Sequence, residues 1–268
     1  MQADHLEGKD LSMHRLARVA TIVVGMLFLA ACMGGEESPA VKPLSQEARQ
    51  LLAAKGMSAG SELFVRIFKD EAELEVWKEV GGRFEHYKTY PICAWSGRLG
   101  PKLKEGDRQA PEGFYVIKPT QMNPRSQFHL AFNMGYPNAY DRSHGRTGAH
   151  LMVHGDCSSR GCYAMTNPQI EEIYALARES FKGGQRYFNV HAFPFRMTEA
   201  NMARFRGHRW HGFWRNLKEG HDYFELTRTL PSVAAQNGRY VFNIEQNQSF
   251  AAAGFAAGQK PVMINPPK

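Results

Sequence analysis

The feature that most constrains this chain is a run of alternating apolar and polar residues broken by two adjacent glycines. Apolar residues are read as alternating with polar ones in Leu63 to Phe68 and Leu74 to Val80, and Gly81-Gly82 makes a turn into Phe84 to Ile92. Successive side chains of a strand point to opposite faces, so period-two alternation fits a sheet and not a helix. The glycine pair supplies a turn between two such strands. A loop rich in Gly, Pro and Lys (Gly97 to Pro111) then leads to another short strand, Gly113 to Ile117. The first half is therefore expected to be mostly β-meander, and no internal repeat is visible.

Helical signals frame this β region. Glu36 to Lys55 reads as a short tether followed by a helix with Leu44, Ala48, Leu51 and Leu52 on one side. Thr166-Asn167-Pro168 is a helix start, with a capping residue, proline in the first turn and then Glu171 and Glu172 where the helix dipole favours acids. Ile170, Ile173, Tyr174, Ala177 and Phe181 make its buried stripe. Thr198 to Lys218 reads as an aromatic-rich helix (Phe205, Trp210, Phe213, Trp214) ending near Gly220, its aromatics serving core packing. Gln246 to Lys268 is polar and Ala/Gly/Pro-biased, and is expected to be a poorly ordered tail. The fold class is α+β.

The N-terminus bears on compartment. Val19 to Ala31 is apolar, preceded by His14, Arg15 and Arg18, and is too short for a comfortable membrane span. It ends in Leu29-Ala30-Ala31-Cys32, which resembles a bacterial lipobox, so residues 1–31 are expected to be a signal peptide and Cys32 to be lipidated. Asp4, Glu7 and Asp10 fit an export signal poorly, which makes Met13 an alternative start with the same mature product. Residues 1–31 hold three basic and three acidic side chains, so the mature chain keeps the formal charge of +7. In a cytosolic protein that charge would raise the question of nucleic acid, but expected export and the lack of a basic-aromatic nucleic-acid motif argue against such a partner. The charge suits an anionic polymer or anionic lipid.

The centre carries the chemistry. Gly148 to Gly155 (GAHLMVHG) reads as a strand with His150, Met152 and His154 on one face. The loop Gly155-Asp-Cys-Ser-Ser-Arg-Gly-Cys162 follows, so a histidine ends a strand and a cysteine precedes a helix. A cysteine attacks as its thiolate, and a nearby imidazole stabilises that ion. Backbone N–H groups at Gly161-Cys162 would hold the oxyanion of a tetrahedral intermediate.

Ser159-x-Gly161-Cys162 downstream of Val153-His154-Gly155 resembles the active-site signature of the L,D-transpeptidase catalytic domain (YkuD) family, and within it a YafK-like branch. The likeness also takes in Ala110-Pro-Glu-Gly-Phe-Tyr115, Phe128-His-Leu-Ala-Phe-Asn133, Gly135-Tyr-Pro-Asn-Ala-Tyr-Asp-Arg142, His144-Gly-Arg-Thr-Gly148, Gly161-Cys-Tyr-Ala-Met165 and Val190-His-Ala-Phe-Pro-Phe-Arg-Met197. The resemblance implies a β-rich domain at 61–197, after a lipidated tether and short helix at 32–60. A helical extension at 198–245 would pack on it, with the tail beyond. It further implies that Cys162 is a nucleophile attacking a carbonyl of peptidoglycan stem peptides, typically between diaminopimelate and D-alanine. His154 would be the general base, oriented by a backbone carbonyl near Gly155, and Gly161 would supply an oxyanion amide. Asp156 is an alternative partner for the imidazole, although its turn character is favoured. An amine or water would resolve the thioester, so a hydrolase that releases protein from the wall is a second reading. A wall-linked lipoprotein would then be a partner. A catalytically silent wall-binding lipoprotein is a third. The expected location is the periplasm, lipid-anchored, at the outer membrane in preference to the inner.

Two positions depart from the broad family pattern. His154 and Cys162 are only eight positions apart, and the position two after the cysteine, commonly Arg or Asn, is Ala164. Arg142, Arg146 and Arg160 are candidates for stem-peptide carboxylates, and Ser159 and Tyr163 are also expected to contact substrate. With Cys32 lipidated, Cys93, Cys157 and Cys162 remain. Both a Cys93–Cys157 disulfide, leaving Cys162 free, and a silencing Cys157–Cys162 bridge stay open. Zinc on His150, His154, Cys157 and Cys162 is the rival chemistry. Four residues of strand span ~13 Å, which argues against both histidines sharing an ion. No metal and no cofactor is expected.

Overall fold

The computed structural model describes residues 38–243 and 261–265. The expected signal segment, Cys32 and most of the expected tail lie outside the described residues. In chain order the strands are β1 (Leu63–Phe68), β2 (Glu73–Val80), β3 (Arg83–Pro91), β4 (Ala94–Trp95), β5 (Gly113–Ile117), β6 (Met122–Ser126), β7 (His129–Asn133), β8 (Met152–His154), β9 (Tyr163–Ala164), β10 (Phe188–Phe193), β11 (Val233–Gln236), β12 (Arg239–Phe242) and β13 (Val262–Asn265). The helices are α1 (Gln46–Ala54), α2 (Ala139–Ser143), α3 (Asn167–Lys182), α4 (Glu199–Arg204) and α5 (His211–Thr227).

The alternating pattern becomes the antiparallel β1-β2-β3 meander. Gly81 and Gly82 turn it with φ of 61° and 86°, values glycine adopts without steric cost. The principal sheet is nevertheless not a pure meander. β10 docks parallel to β1 and β5 lies antiparallel to β10, giving the order β3-β2-β1-β10-β5. β1 is thereby central and buried along its whole length. A second sheet, β4-β9-β8-β7-β6, contains one parallel pair, β8 with β9.

One hydrophobic core joins the two sheets through α3. Val65, Ile67 and Val190 enter from the first sheet, Phe132, Val153 and Tyr163 from the second, and Ile170, Ile173 and Ala177 from α3. The helix starts as expected, with Gln169 Oε1 accepting the Thr166 N–H at 2.9 Å. On the other face of the principal sheet, Phe68, Phe114 and Phe193 pack on Trp214 and Leu217 of α5 and on Tyr240.

The C-terminal region differs from its expected form in three ways. The single helix over 198–218 is two helices, and α5 runs through Gly220 to Thr227. Gly220 serves close packing instead of termination, since a Cβ there would meet the Phe242 ring at 2.5 Å. The extension is also partly a sheet, ordered β12-β11-β13. Val262–Asn265, expected within the disordered tail, is the strand β13 paired to β11. Asn265 Nδ2 donates to Asn189 Oδ1 and to Pro231 O, both at 3.0 Å, which ties that strand to the principal sheet.

A buried ion pair holds the Gly97-to-Pro111 loop. Lys69 Nζ donates to Glu112 Oε1 at 3.0 Å and to the carbonyls of Arg98, Gly100 and Ala110, while Glu112 Oε2 accepts from Trp214 Nε1 at 2.9 Å. Both charged side chains are fully buried, so each depends on the other and on these hydrogen bonds to offset its lost hydration. The same loop reaches the backbone beside Gly161.

Candidate active site

His154 ends β8, and Cys162 immediately precedes the neighbouring parallel strand β9. Val153 lies opposite Tyr163 and His154 opposite Ala164. Because Val153 and Tyr163 turn into the core between the sheets, His154 and Ala164 lie on the other face. Tyr163 is fully buried and its hydroxyl donates to Pro111 O at 2.6 Å, so it anchors the loop and does not line a substrate surface, contrary to expectation. His150 is outside the strand. Its φ of 55° breaks the alternation and β8 begins only at Met152, so the expected common face of His150 and His154 does not form.

His154 is buried, and its Nδ1 lies 2.6 Å from Gly155 O. A carbonyl only accepts, so Nδ1 carries the hydrogen and Nε2 keeps the lone pair of a base. Asp156 does not hold the ring. It is exposed, with φ 71°, and its N–H donates to Asn167 Oδ1 at 2.9 Å. Its charge acts on the imidazole only through space, favouring the protonated form.

Cys162 is half-buried, and it is the free cysteine of the described residues. The Met152 N–H donates to its Sγ at 3.4 Å, and the thiol lies 3.8 Å from His150 O. Cys93 and Cys157 form a disulfide with Cα atoms 5.1 Å apart. That bond ties the loop between β8 and β9 to β4, beside which the Cys93 N–H donates to Ala164 O at 2.8 Å.

Burial dominates the electrostatics of both groups. It pushes the Cys162 thiol up, with the Met152 N–H and the Lys102 ammonium partly opposing, and it pushes the His154 imidazole down, with Gly155 O partly opposing. Among the described residues no hydrogen bond joins Sγ to the imidazole. Burial thus disfavours both the thiolate and the imidazolium.

The remaining candidates differ in how the fold already uses them. Ser159 Oγ accepts from the N–H groups of Gly161 at 3.3 Å and Cys162 at 3.2 Å and donates to Cys162 O at 2.8 Å. Ser159 thus shapes the cysteine turn, and the Gly161 amide expected to hold an oxyanion is already engaged. Gly161 itself has φ 122°, which requires glycine. Arg146 is buried, pairs with Asp141 at 2.7 Å and lies over the Tyr140 and Phe213 rings, so it is a packing residue and is removed from the substrate set. Arg142 is exposed and donates to Pro137 O, and Arg160 is exposed on the loop. Cys157 is committed to its disulfide, and no group of three His, Cys, Asp or Glu side chains is gathered for a metal among the described residues.

Two contributors carried no local sign of their role. Asn167 stood out only as a helix start, yet its Oδ1 supports the loop through Asp156. Phe128 stood out only as the start of a matching block, yet its ring lies 4.8 Å from that of His154, centroid to centroid. Both contacts cross between elements, where periodicity is silent.

Residues 64–183 match the family described as YkuD, the L,D-transpeptidase catalytic domain. The chain is 42% identical over 230 residues to “Putative L,D-transpeptidase YafK” of Escherichia coli K12 and to the protein of the same name in E. coli O157:H7, across 85% of this chain and 90% of each relative. Among solved structures, the helical cell shape determining protein Pgp2 of Campylobacter jejuni is 21% identical with a TM-score of 0.41, covering 66% of this chain and 67% of that one. Bd1075 of Bdellovibrio bacteriovorus is 23% identical with a TM-score of 0.35, covering 61% of this chain and 60% of its own.

Proposed function

Because this chain belongs to the L,D-transpeptidase catalytic domain (YkuD) family, we propose that it is a peptidoglycan-acting cysteine acyltransferase with Cys162 as nucleophile and His154 as base. The observation that carries the reading is a free thiol at Cys162, immediately before the strand β9 that runs parallel to β8, and at the end of β8 an imidazole whose Nδ1 is committed to Gly155 O. That tautomer leaves Nε2 as the proton acceptor.

The reaction then follows from that tautomer. As Sγ adds to a stem-peptide carbonyl, Nε2 takes the thiol proton and a tetrahedral oxyanion forms. Nε2–H then protonates the departing amine, the C–N bond breaks and a thioester remains on Cys162. An incoming amine, or water, gives its proton to Nε2 and attacks the thioester, and the thiol is restored when that proton returns to sulfur. With a carbonyl instead of a carboxylate behind Nδ1, the imidazolium gains no full countercharge, in keeping with the burial that disfavours it. The Gly161 and Cys162 N–H groups, the expected oxyanion donors, point to Ser159 Oγ in the absence of substrate.

Compartment belongs to the same proposal. The Cys93–Cys157 disulfide supports an oxidising location, as do the apolar run before Cys32 and the lipobox-like residues. The protein is read as exported and lipid-anchored at the periplasmic side, with the outer membrane favoured.

Incubating purified sacculi with wild type and with Cys162→Ala, followed by muropeptide separation, tests the activity. Wild type should alter stem peptides that the variant leaves intact, and the products report amine or water as acceptor. Identical profiles would leave a silent wall-binding protein.

A further inference from the structure

We propose that Phe128 is a positioning residue for proton transfer at His154, its ring covering the imidazole while its backbone fixes the carbonyl that orients it. The inference rests on reading His154 as the base, but the geometry behind it is separate from the thiol.

Phe128 is one of the few large apolar side chains left exposed, at 43%. Its ring contacts the imidazole at 4.8 Å between centroids with the planes tilted by 35°, within the range of offset aromatic contacts. A solvent-facing phenyl that would gain by burial elsewhere instead shields a buried polar ring from water.

The corner that carries Phe128 is tightly specified. Phe128 O accepts the Gly155 N–H at 3.1 Å, and the Phe128 N–H donates to Ser126 Oγ at 3.0 Å. The next residue, His129, has φ 67°, a left-handed value that a side-chain-bearing residue keeps only when its surroundings impose it. Its Nε2 lies 2.6 Å from Glu171 Oε1 on α3. A Cβ on Gly155 would come within 3.1 Å of Phe128 O and of His129 Cβ, and within 2.6 Å of Asn167 Oδ1. Gly155 is therefore locked against this corner, and Gly155 O is the acceptor that sets the His154 tautomer. One corner covers the base and places its orienting carbonyl.

The charged and titratable groups around His154 come from every neighbouring element. Asp156 on the loop after β8 acts on the imidazole itself, His129 pairs with Glu171 at the corner, where Lys42 also meets Glu171, and Lys102 acts on the Cys162 thiol before β9. Of these Asp156 favours the imidazolium, whereas the burial to which Phe128 contributes opposes it. Removing the phenyl admits water to the ring without changing any charge, so its effect is separable from theirs.

The test is an NMR titration of the His154 imidazole in the full chain labelled at histidine, with His154→Gln identifying the resonance. Wild type should titrate below the ordinary imidazole value, Phe128→Ala should move upward towards it, and Phe128→Leu, which keeps an apolar cover, should stay nearer wild type. An unchanged midpoint in Phe128→Ala would overturn the proposal, as would equal shifts in the alanine and leucine variants. Far-UV circular dichroism and Tm verify that the fold persists. The titration needs no substrate, so failure of acyl transfer is read independently as absence of a Cys162 adduct. Where the adduct forms, Phe128→Ala should slow its appearance by roughly tenfold at saturating peptide, because Nε2 loses its aim.

Discussion

The Nδ1 hydrogen of His154 is spent on Gly155 O, and this fixes the sign of the pH dependence. The base works only when neutral, and its pKa lies below the ordinary imidazole value because of burial. Acylation should therefore rise through a midpoint below that ordinary value as pH increases. Asp156→Asn removes a charge that favours the imidazolium, so the rising limb should move to still lower pH in single-turnover profiles. Cys162, whose thiol is pushed up by burial, should react with iodoacetamide more slowly at neutral pH than a free cysteine, and faster as pH rises. A fast plateau beginning near neutrality would instead indicate a preformed thiolate. His154→Ala should cost roughly 10²- to 10⁴-fold in acylation. Cys162, His154 and Gly155 were legible from residue type, spacing and family likeness. The directions in which burial pushes the thiol and the imidazole were not, since burial is a property of the packed fold.

At the scale of elements, the short loop between β8 and β9 is held at several points. The disulfide ties Cys157 to Cys93, Met165 N–H donates to His154 O at 2.7 Å, and Cys157 N–H donates to Met165 O at 3.3 Å. Asp156 and Cys157 both take positive φ, at 71° and 42°, which their side chains tolerate only under such restraint. Cys93→Ser should therefore lower stability by about 2–4 kcal/mol in denaturant titrations. It should also slow acylation, although it touches neither Cys162 nor His154. The helix start at Thr166 was readable because capping chemistry is local. The start of β8 was not, since the left-handed backbone at His150 looks like strand in the residue pattern. Arg146 also misled, because a charged residue in a matching block looks like a ligand until Asp141 is found beside it.

Across the whole molecule, two cores flank the principal sheet, and the loop from Gly97 to Pro111 links them to the cysteine. Its anchor is the buried Lys69–Glu112 pair, braced by Trp214 of α5. Glu112→Gln leaves a buried ammonium without its counterion and should cost about 3–5 kcal/mol, read as a fall in Tm and denaturation midpoint. The hairpins, α1 and α3 were visible in advance because period and capping are short-range signals. The insertion of β10 beside β1 and the return of β13 to β11 were not, because strand pairing between distant segments leaves no mark on local alternation. The claim on which the rest depends is that Cys162 carries the acyl group. Rapid quenching of the protein with tetrapeptide-bearing muropeptide, followed by intact mass and peptide mapping, tests it most directly. A thioester adduct should be found on the Cys162 peptide of wild type and be absent from Cys162→Ala. No adduct on wild type, or one that persists in Cys162→Ala, would contradict it.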